Sequence, residues 1–145
     1  MSYECKYFSL KELLPEVTYR ELESRGRLNF GWYLFDQRIL MAADLLRGQY
    51  GPMLCNTWAT GGEFGYRGYR PPTARVGSVY SQHRFGRALD LWPLEVSSDE
   101  IRRDIKLQMA NASQYITGIE DGVSWLHIDC RNWDKVKSGL YVFKP

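Results

Sequence analysis

The chain has 145 residues, 44% of them hydrophobic and 25% charged, a balance that excludes wholesale disorder and fits one globular domain. A net charge of +2 is too small to argue for a nucleic-acid binder, and no run of apolar residues is long enough for a membrane-spanning helix. Cys5, Cys55 and Cys130 are odd in number and far apart, which argues against a disulfide framework or a CxxC zinc knuckle and favours a reducing compartment.

Ser9 is placed to cap a short amphipathic helix with Leu10, Leu13, Leu14 and Val17 at helical spacing, its length limited by Pro15. A longer helix is expected over 31–47, where Trp32, Phe35, Ile39, Ala42, Ala43 and Leu46 form one stripe and Gly48 ends it. Residues 53–58 read as a strand. The turn-rich stretch 61–83 follows, with five glycines and a Pro-Pro pair, and loops of that length inside compact domains tend to be functional. Residues 88–94 read as a second strand. Ser97-Ser98-Asp99-Glu100 is a capping box opening a helix to about 111, with Ile101, Ile105 and Met109 inward. Arg102, Arg103 and Lys106 are expected on its solvated face. Three short strands complete the chain at 115–120, 124–130 and 139–143. In the middle one, Trp125, His127 and Asp129 alternate with Leu126, Ile128 and Cys130. The expected class is α+β, a single domain over 1–145 with a helical part at 9–48 and one small, mostly antiparallel sheet.

The two histidines stand in unusual company: Ser81-Gln82-His83-Arg84-Phe85-Gly86-Arg87-Ala88-Leu89-Asp90, and Ser124-Trp125-Leu126-His127-Ile128-Asp129. A hydrolytic zinc centre takes about three N or O ligands and keeps one position open for water. His83, Asp90 and His127 supply such a set. In this reading His83 sits on a loop, Gly86 turns the chain tightly, Asp90 lies on the emerging strand and His127 on a neighbouring one.

The pattern Ser81-Gln82-His83-x-x-Gly86-x-Ala88-x-Asp90, followed by Trp125-x-His127-x-Asp129, resembles the zinc D-alanyl-D-alanine carboxypeptidase family. Relatives of that family include vancomycin-resistance dipeptidases, phage L-alanyl-D-glutamate endopeptidases and the Hedgehog signalling domain. The resemblance runs over residues 53–131. It implies a Hedgehog/DD-peptidase-like fold, zinc on His83, Asp90 and His127, and hydrolysis of an amide bond in the peptide stems of bacterial peptidoglycan. No secretory signal is visible at the start of the chain. The implied protein is therefore a phage or prophage endolysin, a monomer made in the host cytoplasm without stable membrane association or a nucleic-acid partner, acting on the wall after release.

Relatives carry a Glu three residues before the last ligand, or a His two before it, as general base. Ser124 and Trp125 stand there instead. Glu120 ranks first as replacement; Asp121, followed by Gly122, has turn chemistry. Asp129 is open as base or as orienter of His127, and in a register slipped by two it becomes the ligand and His127 the base. The family also uses an Arg in a GYR-like segment against the developing oxyanion. Gly65-Tyr66-Arg67 and Gly68-Tyr69-Arg70 each offer one, Arg67 by its spacing from His83 and Arg70 as a substrate-binding group. Ser81 either binds a substrate carboxylate or closes the turn; Tyr66, Tyr69, Tyr80 and Trp92 flank the motif, and about half of them are expected to line a cleft. The missing Glu keeps a second reading open: a catalytically impaired wall-binding or virion structural module with the same fold.

Overall fold

The computed structural model describes residues 2–132 and 139–145. Five strands form one mixed sheet: β1 (Met53–Leu54), β2 (Ala88–Pro93), β3 (Gly118–Glu120), β4 (Leu126–Asp129) and β5 (Tyr141–Phe143). Their order is β1-β2-β4-β3-β5, with antiparallel pairs throughout except the parallel β3–β5 pair. Among the described residues, four α-helices accompany the sheet: α1 (Leu10–Leu13), α2 (Glu16–Ser24), α3 (Gln37–Tyr50) and α4 (Ser98–Lys106). The α+β class and the small, mostly antiparallel sheet are as expected. One continuous core joins Leu13 and Leu14, Ile39 to Leu46 of α3, Leu89 and Leu91 of β2, Ile101 of α4 and Leu126 and Ile128 of β4. Among the described residues, no helix is long and apolar enough to cross a membrane, and all three cysteines are free.

Several elements are shorter or cut differently than their periodicity suggests. Pro15 does not merely end the first helix: it is the N-cap of α2, whose Val17 is 57% exposed rather than part of the apolar stripe. The stripe from Trp32 to Leu46 is buried as expected, but two elements carry it. Residues Leu28–Leu34 wind as a 3-10 helix, the backbone extends at Phe35, and α3 starts afresh where the Asp36 side chain accepts the Arg38 N–H at 2.9 Å. Gly48 lies inside α3, and Gly51, at φ 90°, follows its end. The expected strand 53–58 is reduced to β1. Helix α4 stops at Lys106, leaving Met109 63% exposed.

Arg102 corrects the expected solvated face of α4 more consequentially. It is 4% exposed and donates to the carbonyls of Val123 at 2.8 Å and Trp125 at 2.6 Å. Two backbone acceptors and the Asp99 carboxylate replace the water that a buried guanidinium gives up. Through this grip α4 fixes the segment that enters β4.

The turn before β2 rests on Gly86, whose φ of 66° lies in the left-handed region. Its carbonyl accepts the Asp36 N–H at 2.9 Å, and a Cβ there would stand 1.8 Å from the Leu34 carbonyl oxygen. Gly26 has nearly the same φ, 63°, with nothing within 4 Å of such a Cβ. Gly26→Ala is therefore expected to lose about 1 kcal/mol, the left-handed penalty alone. Gly86→Ala adds a collision with backbone and is expected to lose at least about 3 kcal/mol. Urea unfolding of both variants measures the difference; equal losses would contradict it.

Candidate metal centre

Strands β2 and β4 pair so that Asp90 lies directly opposite His127 and Ala88 opposite Asp129. Side chains two apart on a strand share a face, so one register places Asp90, His127 and Asp129 together. His83 arrives from the 3-10 turn Gln82–Phe85, which Ser81 caps by accepting the His83 N–H at 3.3 Å. Arg84 fastens the preceding loop by donating to the carbonyls of Pro71, Pro72, Ala74 and Ser78. One guanidinium thereby joins four loop carbonyls, two of which, Pro71 and Ser78, also accept the backbone N–H groups of Ala74 and Ser81.

The three side chains converge. His83 Nε2 is 3.3 Å from Asp90 Oδ2, His127 Nδ1 is 2.7 Å from Asp90 Oδ1, and the ligand atoms all lie within 4.8 Å of one another. His83 Nδ1–H donates to the Gly68 carbonyl at 2.8 Å, which leaves Nε2 for the cluster. His127 Nε2–H donates to Asp129 at 3.0 Å, which turns Nδ1 inward. This buried group can hold a metal ion. Two imidazole nitrogens and a carboxylate suit a borderline divalent cation, whose tetrahedral ligands at about 2.0–2.1 Å would stand roughly 3.3 Å apart.

Asp129 is fully buried, and its carboxylate is gripped by Nε and Nη2 of Arg131 as well as by His127. Burial pushes its pKa up, but the hydrogen bonds from Arg131 and His127 outweigh that and hold it at about 2. Gly118 makes room for it: a Cβ there would meet Asp129 Oδ1 at 2.2 Å. Asp129 thus lies behind His127 and orients it.

Of the two candidate arginines, Arg70 reaches the cluster, with Nη2 3.6 Å from Asp90 Oδ2, while Arg67 stacks on Phe64, 3.5 Å from the ring centroid. Ser81 Oγ lies 3.5 Å from Arg70 Nη1, so it serves both the turn and the arginine. Glu120, at the end of β3, lines the same cavity of about 640 Å³ as His83, Asp90 and His127. Asp121 is turned away into an ion pair with Lys106 at 2.8 Å. Tyr80 lines this cavity and Tyr66 a smaller one, whereas Tyr69 packs edge-on against Phe35. Trp92 lines a separate apolar pocket with Leu54.

Three participants escape the sequence reading. Arg131 has a legible signal, one further step along the His127-x-Asp129 alternation. Phe143 meets the His127 ring edge-on with centroids 5.4 Å apart, and Arg131 lies over Phe143 and Tyr141. No local pattern announces those contacts, because they follow from the parallel β3–β5 pairing. The third, Gly118, is recognisable only once Asp129 is placed.

Burial lowers the His127 pKa, but hydrogen bonds to Asp129 and Asp90 outweigh it and raise it from 6.5 to about 9. Asp90 is pushed up by burial and held well below the usual carboxylate range by the two imidazoles. For His127 the folded chain binds the proton more tightly than the unfolded one. That stabilisation is complete below pH 6.5 and is lost as pH rises towards 9. For Asp90 and Asp129 the sign reverses: their contribution is present above about pH 4 and lost in acid. In chelator, the melting temperature is therefore expected to fall between pH 6.5 and 9, and His127→Gln to abolish that fall. A flat profile for the unsubstituted chain would contradict the assignment.

Compared with protein-family models, curated proteins and solved structures, the chain matches none.

Proposed function

We propose that the chain is a zinc-dependent peptidase with a DD-peptidase-like fold, hydrolysing an amide bond in the peptide stems of bacterial peptidoglycan as a phage or prophage endolysin. The observation that carries this reading is the convergence of His83 Nε2, Asp90 and His127 Nδ1 on a cavity that also holds Glu120 and Arg70. It adds geometry to the resemblance carried by residues 81–90 and 125–129.

His83, Asp90 and His127 would hold the zinc, which when bound supplies a polarised scissile carbonyl and an acidified water. Gly68 and Asp129 fix the tautomers that leave His83 Nε2 and His127 Nδ1 available. Glu120 takes the proton from the attacking water and returns it to the leaving amine. Among the described residues its carboxylate makes no hydrogen bond or ion pair, unlike those of Asp121 and Asp129. Arg70, fixed beside Asp90, offsets negative charge developing on the carbonyl oxygen.

Purified peptidoglycan incubated with the zinc-loaded protein is expected to yield new amino groups, with release stopped by chelation and restored by zinc. The presence of Ser124 where relatives carry a glutamate favours the second reading, a wall-binding or virion module. That reading predicts retention on peptidoglycan without any new amino group.

A further inference from the structure

We infer, resting on the peptidase reading for the choice of substrate, that Arg67 is a specificity residue that seats a free carboxylate of the stem peptide beside the ligand cluster. The cavity that holds His83, Asp90 and His127 shares Arg70, Asp90 and Trp125 with a second one of about 290 Å³, which Phe64, Tyr66 and Arg67 also line. That volume is close to the lower end of small-ligand sites, roughly 300 Å³.

The backbone of Arg67 is held on both sides. Its N–H donates to Oδ1 of the buried Asn56 at 2.9 Å, and its carbonyl accepts the Asp90 N–H at 2.8 Å, which ties its position to the ligand cluster. The half-buried side chain stacks its guanidinium on Phe64, 3.5 Å from the ring centroid, an attraction that stiffens it and covers one face. The N–H edges are left, and among the described residues none of them meets a hydrogen-bond acceptor or an anion. The other described arginines of the two cavities are engaged: Arg70 faces Asp90 at 3.6 Å and Arg131 clasps Asp129. Glu63 also lines the smaller cavity, but no ion pair joins it to Arg67. A stiffened guanidinium fork with open edges suits a planar carboxylate, which it binds bidentately. A stem peptide offers that group from two sources, its C-terminus and the α-carboxylate of a γ-linked glutamate.

The test measures binding of a synthetic N-acetylated, lysine-containing stem pentapeptide to the metal-free protein, and its cleavage by the zinc-loaded one. Three forms are compared: both carboxylates free, the C-terminus amidated, and the γ-linked glutamate amidated. At least one amidation is expected to weaken binding about tenfold or more, and which one does so identifies the carboxylate. Arg67→Gln is expected to bring the free peptide to within about threefold of that amidated form. Arg67→Lys, which keeps the charge without the fork, is expected to narrow the ratio at least about threefold. A purely structural role for Arg67 would weaken all three peptides alike and leave their ratios unchanged. Equal binding of the three forms by the unsubstituted chain, or unchanged ratios in either variant, would overturn the inference, while cleavage would keep the peptidase reading intact. Carboxylate-dependent binding with no cleavage of any form, nor of peptidoglycan, would instead overturn the peptidase reading and keep the anchor.

Discussion

His83→Ala is expected to reduce bound zinc from one ion per chain to below a tenth and to bring peptidoglycan hydrolysis to background. The imidazole is 3% exposed and enters the cluster through Nε2, with Nδ1 already spent on Gly68. Without it, Asp90 and His127 remain as a closed hydrogen-bonded pair at 2.7 Å, and two donors hold zinc far less tightly than three. The substitution also removes the Gly68 contact, so thermal unfolding in chelator must accompany the metal analysis. Asp129→Asn is the informative contrast. As the group behind His127, Asp129 should leave zinc bound after substitution, with affinity lower by about 10- to 100-fold. In the slipped register, with Asp129 as ligand, the same variant would lose the ion outright, and His127→Ala would keep it.

Glu120→Gln is expected to retain zinc and fold but lose at least about tenfold in turnover, within the roughly 10²–10⁴-fold that general acid–base catalysis contributes. Four groups between residues 119 and 129 can accept a proton. His127 faces Asp90, Asp129 is clasped on both oxygens, and Asp121 is paired with Lys106 outside the cavity. Glu120 alone among them lines the cavity with its carboxylate unengaged by any described residue. The amide of Gln preserves shape and hydrogen bonding while removing the basic oxygen, so steady-state rates on peptidoglycan read the proton transfer. Asp121→Asn serves as the control and should change the rate little. Wild-type turnover in Glu120→Gln would remove this residue from the mechanism.

The meeting of Asp90 and His127 was legible in the sequence because strand geometry is short-ranged and regular, whereas His83, on a 3-10 turn, was legible only from the motif around it. An alternation through Trp125, His127 and Asp129 fixes one face of β4, and antiparallel pairing with β2 then brings Asp90 opposite His127. The choice between Arg67 and Arg70 was not legible, since it depends on a loop path that Arg84 sets by gathering four distant carbonyls. Arg102 misled for a related reason. Helical periodicity identifies the face a side chain occupies, but not the carbonyls of Val123 and Trp125 that await it there. The break between Phe35 and α3 turns on a single cap at Asp36, which outcompetes an apolar stripe continuous across it. Phe143 reaches His127 through a parallel pairing whose register no turn sequence encodes.

Diffraction from zinc-loaded crystals, recorded on both sides of the zinc absorption edge, tests the central assignment most directly. One anomalous peak per chain is expected, at about 2.0–2.2 Å from His83 Nε2, an Asp90 carboxylate oxygen and His127 Nδ1, with Asp129 still bonded to His127 Nε2. A peak coordinated by Asp129, or no peak between these side chains at saturating zinc, would contradict it.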